Sequence, residues 1–117
     1  MAGTLPLALG ERLVGATPCV TFVTVGELYK GAEHARWGKS RIAGLERWLG
    51  GLPMLAADQR VARRWGEITG RALRVGRTLP ANDAWIAACC LVHHASLATL
   101  NVRHFDQVAG LRLVTAE

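Results

Sequence analysis

Apolar positions along this chain follow two periods, short runs of four or five residues and longer stripes at helical spacing. Cys19-Val20-Thr21-Phe22-Val23, set off by Pro18, has the length of a buried parallel strand. Thr24 and Glu27 follow at capping-box spacing, which predicts a helix from Thr24 with Leu28, Ala32 and Ala35 on its apolar stripe. Ser40 is placed to cap a second helix in which Ile42, Leu45, Trp48, Leu49 and Leu52 share one face, until Pro53 ends it. Met54-Leu55-Ala56 reads as a short strand. Asp58 precedes a long amphipathic helix carrying Val61, Trp65, Ile68 and Leu73, with Arg60, Arg63, Arg64, Arg71 and Arg74 on the polar face. After a connection from Gly76 to Pro80, Asn82 and Asp83 open a helix that is apolar on nearly every side from Trp85 to Val92, and is therefore expected to be buried. Ala98-Thr99-Leu100 and Leu111-Arg112-Leu113-Val114 read as strands, with a turn over 101–105 between them. Ahead of all this, residues 1–18 are broken by Gly and Pro, and Leu9, Leu13 and Val14 could face a core from one short helix. Strands alternating with helices predict an α/β domain with a mainly parallel sheet.

Composition narrows the class. The 117 residues, half of them hydrophobic and one fifth charged, suit one globular domain spanning 1–117. No apolar run approaches the roughly 18 residues that cross a bilayer, so no membrane partner is expected, and Leu5–Leu9 makes a poor signal peptide. Cys19, Cys89 and Cys90 are odd in number and apolar in setting, which points to free buried thiols in a reducing cytoplasm. The net charge of +5, built mainly on arginine, favours an anionic partner, nucleic acid or acidic protein, although a solvated basic face has the same composition.

Acidic residues are scarce, so their positions are informative. Glu27 lies just beyond a strand, where ligands gather in parallel α/β sheets. Asp83 lies at the first turn of the most apolar helix, where an uncompensated charge is costly and a bound divalent cation would offset it. Structural alternatives exist for both: Glu27 as the reciprocal member of a capping box, and Asp83 as a charge favoured by the helix dipole. Asn101 and His104 follow the Leu97–Leu100 strand, again at a carboxyl end. The histidine by itself is equally a surface residue. His93 and His94 close a helix, and Trp37, Trp48, Trp65 and Trp85 sit on apolar helical faces as core residues.

Three segments then resemble one family. Val23-Thr24-Val25-Gly26-Glu27-Leu28 with Gly31-Ala32 is similar to the T-x-x-E-L-x-x-G segment of PIN-domain ribonucleases, most nearly the VapC toxins of toxin–antitoxin pairs. Pro80-Ala81-Asn82-Asp83-Ala84-Trp85-Ile86-Ala87-Ala88 resembles the D-x-x-I-A-A helix start. Thr99-Leu100-Asn101-Val102-Arg103-His104-Phe105, with Val108-Ala109-Gly110-Leu111, resembles the closing T-x-N-x-x-D/H-F…GL motif. The resemblance runs from about Cys19 to Val114. It implies a three-layer α/β/α domain and an endoribonuclease dependent on Mg²⁺ or Mn²⁺, acting on RNA and neutralised by a cognate antitoxin. Glu27 and Asp83 would be catalytic, metal-holding carboxylates, and Asn101 and His104 would occupy the third-motif site. Arg60, Arg63, Arg64, Arg74 and Arg77 would be available to RNA or antitoxin. A homodimer is also implied, and the apolar helices Ile42–Leu52 and Val61–Leu73 could support one.

One departure bears on activity. Family members open with a strand ending in an aspartate, and no Asp precedes Asp58 here. The expectation is a PIN-like domain lacking its first strand, with a metal cluster reduced to two carboxylates. The competing reading is a degenerate, non-catalytic PIN-like binding module.

Overall fold

The computed structural model describes residues 18–99 and 102–114. The short helix expected around Leu9, Leu13 and Val14 lies outside these residues, as does Asn101. Strand β1 (Val20–Thr21) leads into helix α1 (Phe22–His34), followed by α2 (Lys39–Gly50), β2 (Met54–Leu55), α3 (Gln59–Arg74) and α4 (Ala81–Val92). Strand β3 (Leu97–Ala98), the single helical turn α5 (Val102–Phe105) and β4 (Leu113–Val114) complete the order.

The first strand is shorter than its apolar run predicts, because a hydroxyl ends it. The Thr21 side chain accepts the Thr24 amide at 3.2 Å and caps α1 three residues earlier than the capping-box spacing predicts. Phe22 and Val23 therefore belong to the helix. Glu27 becomes its sixth residue, one turn beyond the place where a glutamate reciprocates a cap. Ser40 likewise does not cap α2. Gly38 occupies that position without a side-chain hydrogen bond, and Ser40 falls inside the first turn. Asp58 caps α3 as its position predicts, accepting the Val61 amide at 3.0 Å. The Arg60 guanidinium, 2.9 Å from the other Asp58 oxygen, is the main cause holding that carboxyl below its ordinary value of 3.8.

Both observed strand pairs are parallel, as expected of α/β connections. Val20 pairs with Met54 and Thr21 with Leu55, and Leu97 pairs with Leu113 and Ala98 with Val114. Among the described residues they form two two-stranded sheets rather than one continuous layer. Leu55, Leu97 and Leu113 from the two sheets nevertheless pack against one apolar cluster, centred on Val61 and Ile68 of α3 and Ala87, Ala88 and Cys89 of α4. The small residues of α4 let α3 come close, and Val61, Ala87, Ala88 and Cys89 are completely buried there. Removing a side chain the size of Val61 from water contributes roughly 1.5–3 kcal/mol. A second cluster, Leu28, Ala32 and Leu45, joins α1 to α2.

Of the tryptophans, Trp65 and Trp85 stack with ring centroids 4.8 Å apart at the edge of the main core, and Trp37 covers the second cluster. Trp48 departs from expectation: it is 49% exposed, because the α2 stripe is wider than the face α1 covers. Cys89 and Cys90 are buried free thiols and Cys19 is half-buried.

Candidate functional site

Two side-chain contacts, both between residues distant in sequence, gather the chemistry at the amino end of α4. Pro80 starts the helix, so Asn82 and Asp83 project from its first turn, where unpaired backbone amides and the helix dipole favour negative charge. The Asn82 side-chain amide donates to the Glu27 carboxylate of α1. The Asp83 carboxylate meets His104 of α5, with Oδ2 and Nδ1 2.9 Å apart. Helix α1 directly follows β1, and α5 follows β3. The contacts therefore place what lies beyond the carboxyl ends of both strands at one point, where an α/β fold builds its ligand sites.

Of the residues singled out from sequence, the structure thus brings Glu27, Asp83 and His104 to one place. Glu27 is half-buried, and its carboxylate is tied to α4 rather than to its own helix start, which removes the capping-box role. The Asp83 side chain is 21% exposed and that of His104 51%, so the pair lies at the mouth of the site. Asn82 does not stand out in the sequence as a site residue. Its adjacency to Asp83 is the available signal, but its partner lies 55 positions away.

The donor set determines what the site can hold. Among the described residues no group of three Asp, Glu, His or Cys side chains is close enough to enclose a metal ion. Two carboxylates remain, each with one oxygen engaged by Asn82 or His104 and the other free. That set fits a hydrated Mg²⁺ or Mn²⁺, since such ions keep several waters and bind through one or two carboxylates.

The arginines divide. Arg60 is paired with Asp58 at 2.9 Å, and Arg63 and Arg64 lie 3.7 and 3.5 Å from Glu67. Arg64 and Arg77 also line a cleft of about 780 Å³ that borders His104, together with Arg71 and Arg103, to which the sequence alone assigns no partner. Arg74 lies against a shallower depression with Gly66, Glu67 and Gly70. His93 and His94 stay apart from the site: His93 caps α4, with Nε2 3.4 Å from the Ala56 carbonyl. No helix among the described residues is long and apolar enough to cross a membrane.

Comparison with known proteins agrees with this geometry. The PIN domain family model matches residues 6–111. Ribonuclease VapC2 of Haemophilus influenzae is 34% identical over 94 residues, covering 80% of this chain and 71% of the relative. The tRNA(fMet)-specific endonuclease VapC of Shigella flexneri is 31% identical over 109 residues, covering 92% and 83%. Among solved structures, the DNA-bound VapBC complex of Salmonella typhimurium superposes with a TM-score of 0.84 at 26% identity, covering 96% of this chain and 86% of that one. Family match, relatives and fold agree: the chain belongs to the PIN-domain family, among its VapC ribonucleases.

Proposed function

We propose that this chain is a Mg²⁺- or Mn²⁺-dependent endoribonuclease toxin, with Glu27 and Asp83 as the catalytic carboxylates and a cognate antitoxin as its inhibitor. The observation that carries this reading is the convergence of Glu27, Asn82, Asp83 and His104 beyond the strand ends. It is supported by relatives that are named as ribonucleases and by a neighbour solved as a toxin–antitoxin complex.

The roles follow from position. Asp83 and Glu27 present their free oxygens to the ion, Asp83 from the first turn of α4 and Glu27 from α1. Asn82 fixes the Glu27 rotamer without adding charge, and His104 holds Asp83 Oδ2 so that Oδ1 faces outward. A bound divalent ion would lower the pKa of its water and stabilise the charge that develops on the phosphate. His104 and the nearby arginines supply positive charge beside that phosphate, where it draws in the anionic backbone and orients it. Asn101 and the arginines at positions 60, 63 and 74 have no assigned step.

A second reading has its own observation. With two carboxylates among the described residues rather than a fuller cluster, the domain could bind RNA or antitoxin without cutting. Induced expression in a bacterial host separates the readings. The nuclease reading predicts growth arrest that Asp83→Asn abolishes and that co-expression of the protein encoded by the adjoining small gene relieves. Arrest that persists in Asp83→Asn contradicts it, and absence of arrest by the wild-type chain favours the binding module.

A further inference from the structure

The cleft beside His104 is larger and more specialised than a metal site requires. Its floor is apolar, built from Ile68 and Ala72 of α3, Leu79, Leu91 of α4 and Val108. Its rim carries the guanidinium groups of Arg64, Arg71, Arg77 and Arg103, and no Asp or Glu lines it. Arg64 is shared with Glu67 at 3.5 Å. Arg71, Arg77 and Arg103 have no carboxylate within ion-pair distance among the described residues, and all three are exposed. Arg64 and Arg71 stand seven residues apart on α3, two turns along one face and roughly 10 Å apart along its axis. Thr78 and Gln107 add side chains that can both donate and accept hydrogen bonds.

We propose that this cleft is a nucleotide-binding subsite, which takes an unpaired nucleotide of single-stranded RNA adjoining the phosphate at Asp83. The proposal rests on the ribonuclease reading of the Glu27–Asp83 site. The base and ribose lie on the apolar floor. The flanking phosphates pair with Arg71, Arg77 and Arg103, whose planar guanidiniums grip phosphate in two places and stack on bases. Gln107 and Thr78 reach the base edge and make the subsite selective. RNA is favoured over an acidic protein segment on two counts. His104 belongs both to the cleft wall and to the Asp83 pair, so whatever fills the cleft continues directly into the cutting position. The volume of about 780 Å³ is that of a small-molecule pocket, within the range of about 300–1,000 Å³, and suits a nucleotide better than a protein helix laid across it.

The test uses the full chain carrying Asp83→Asn, so that binding is read without cleavage. The probe is a fluorescein-labelled, unstructured single-stranded RNA of mixed sequence, followed by anisotropy over a range of salt. Adding Arg71→Ala and Arg103→Ala should weaken binding at least tenfold and reduce the slope of log affinity against log salt by about 1.4, near 0.7 for each phosphate no longer neutralised. Arg47→Ala, on α2 and outside the cleft, should change neither. The paired Arg71→Lys and Arg103→Lys variant should retain the slope and lose part of the affinity, since charge is kept and the planar fork is not. Gln107→Ala should alter the ranking of homopolymeric RNAs while leaving the slope intact. Unchanged RNA affinity and slope in the double alanine variant, or no RNA binding by the Asp83→Asn chain, overturns the subsite. So does loss confined to a polyglutamate peptide, which would make the cleft an acidic-protein site. Cleft-dependent binding by a wild-type chain that fails to cut RNA would instead sink the ribonuclease reading and leave the subsite standing.

Discussion

Asn82 of α4 donates its side-chain amide to the carboxylate of Glu27 on α1, a link between residues 55 positions apart. Glu27 otherwise projects from the second turn of its helix with freedom in three side-chain torsions. The adjoining Asp83 is held by His104 in the same way, so both carboxylates are oriented before any ion arrives.

Asn82→Ala should therefore weaken Mn²⁺ binding by roughly 10–100-fold, the usual cost of losing a group that orients a ligand. Calorimetric titration of Mn²⁺ measures it. The melting temperature should not move, because Asn82 is exposed and contributes nothing to the core. Unaltered Mn²⁺ affinity would remove Asn82 from the site.

How far the sequence discloses this site depends on the range of each interaction. Local signals are reliable: Asp58 announces its cap, the arginine-studded stripe of α3 is read directly, and the all-round apolar character of α4 predicts its burial. Thr21 and Thr24 both satisfy a capping rule, and only the fold determines which one does, so the helix starts three residues before the predicted position. The division into two parallel pairs and the Asn82–Glu27 and Asp83–His104 contacts join distant segments, and no local pattern encodes them. The cleft is illegible in the sequence for the same reason, since Arg103 joins Arg71 only after folding.

Two helices end on non-glycine residues in the left-handed region, Arg36 with φ 56° and His94 with φ 55°. After α4 the turn is closed by the Ala95 amide bonding back to the Cys90 carbonyl at 2.8 Å, which holds His94 in that conformation. A side chain there costs about 1–2 kcal/mol relative to a conformation it prefers, and glycine avoids most of this. His94→Gly should stabilise the fold by about 1 kcal/mol in urea unfolding. A destabilised variant would mean that the imidazole makes a compensating contact.

Burial pushes the Cys90 thiol up to about 12 and the Cys89 thiol up to about 11, from an ordinary value of 9.0. In the unfolded chain these thiols ionise first. Their contribution to stability is complete below pH 9 and is lost as the pH rises through 11 to 12. Unfolding free energy measured under reducing conditions should fall over that window, and Cys90→Ala should flatten the fall. In native protein at about pH 8, a thiol reagent should label Cys19 quickly and the buried pair only after denaturation. Rapid labelling of all three would contradict the burial.

Glu27 and Asp83 are assigned here as the pair that holds the ion with which this domain cuts RNA. The most direct test is cleavage of a purified tRNA by the full chain in Mn²⁺, comparing wild type with Glu27→Gln and Asp83→Asn. The expected result is cleavage that chelation stops and that each substitution lowers by at least about 100-fold, with folding unchanged. Cleavage at wild-type rate in either variant, or cleavage indifferent to chelation, would contradict the assignment.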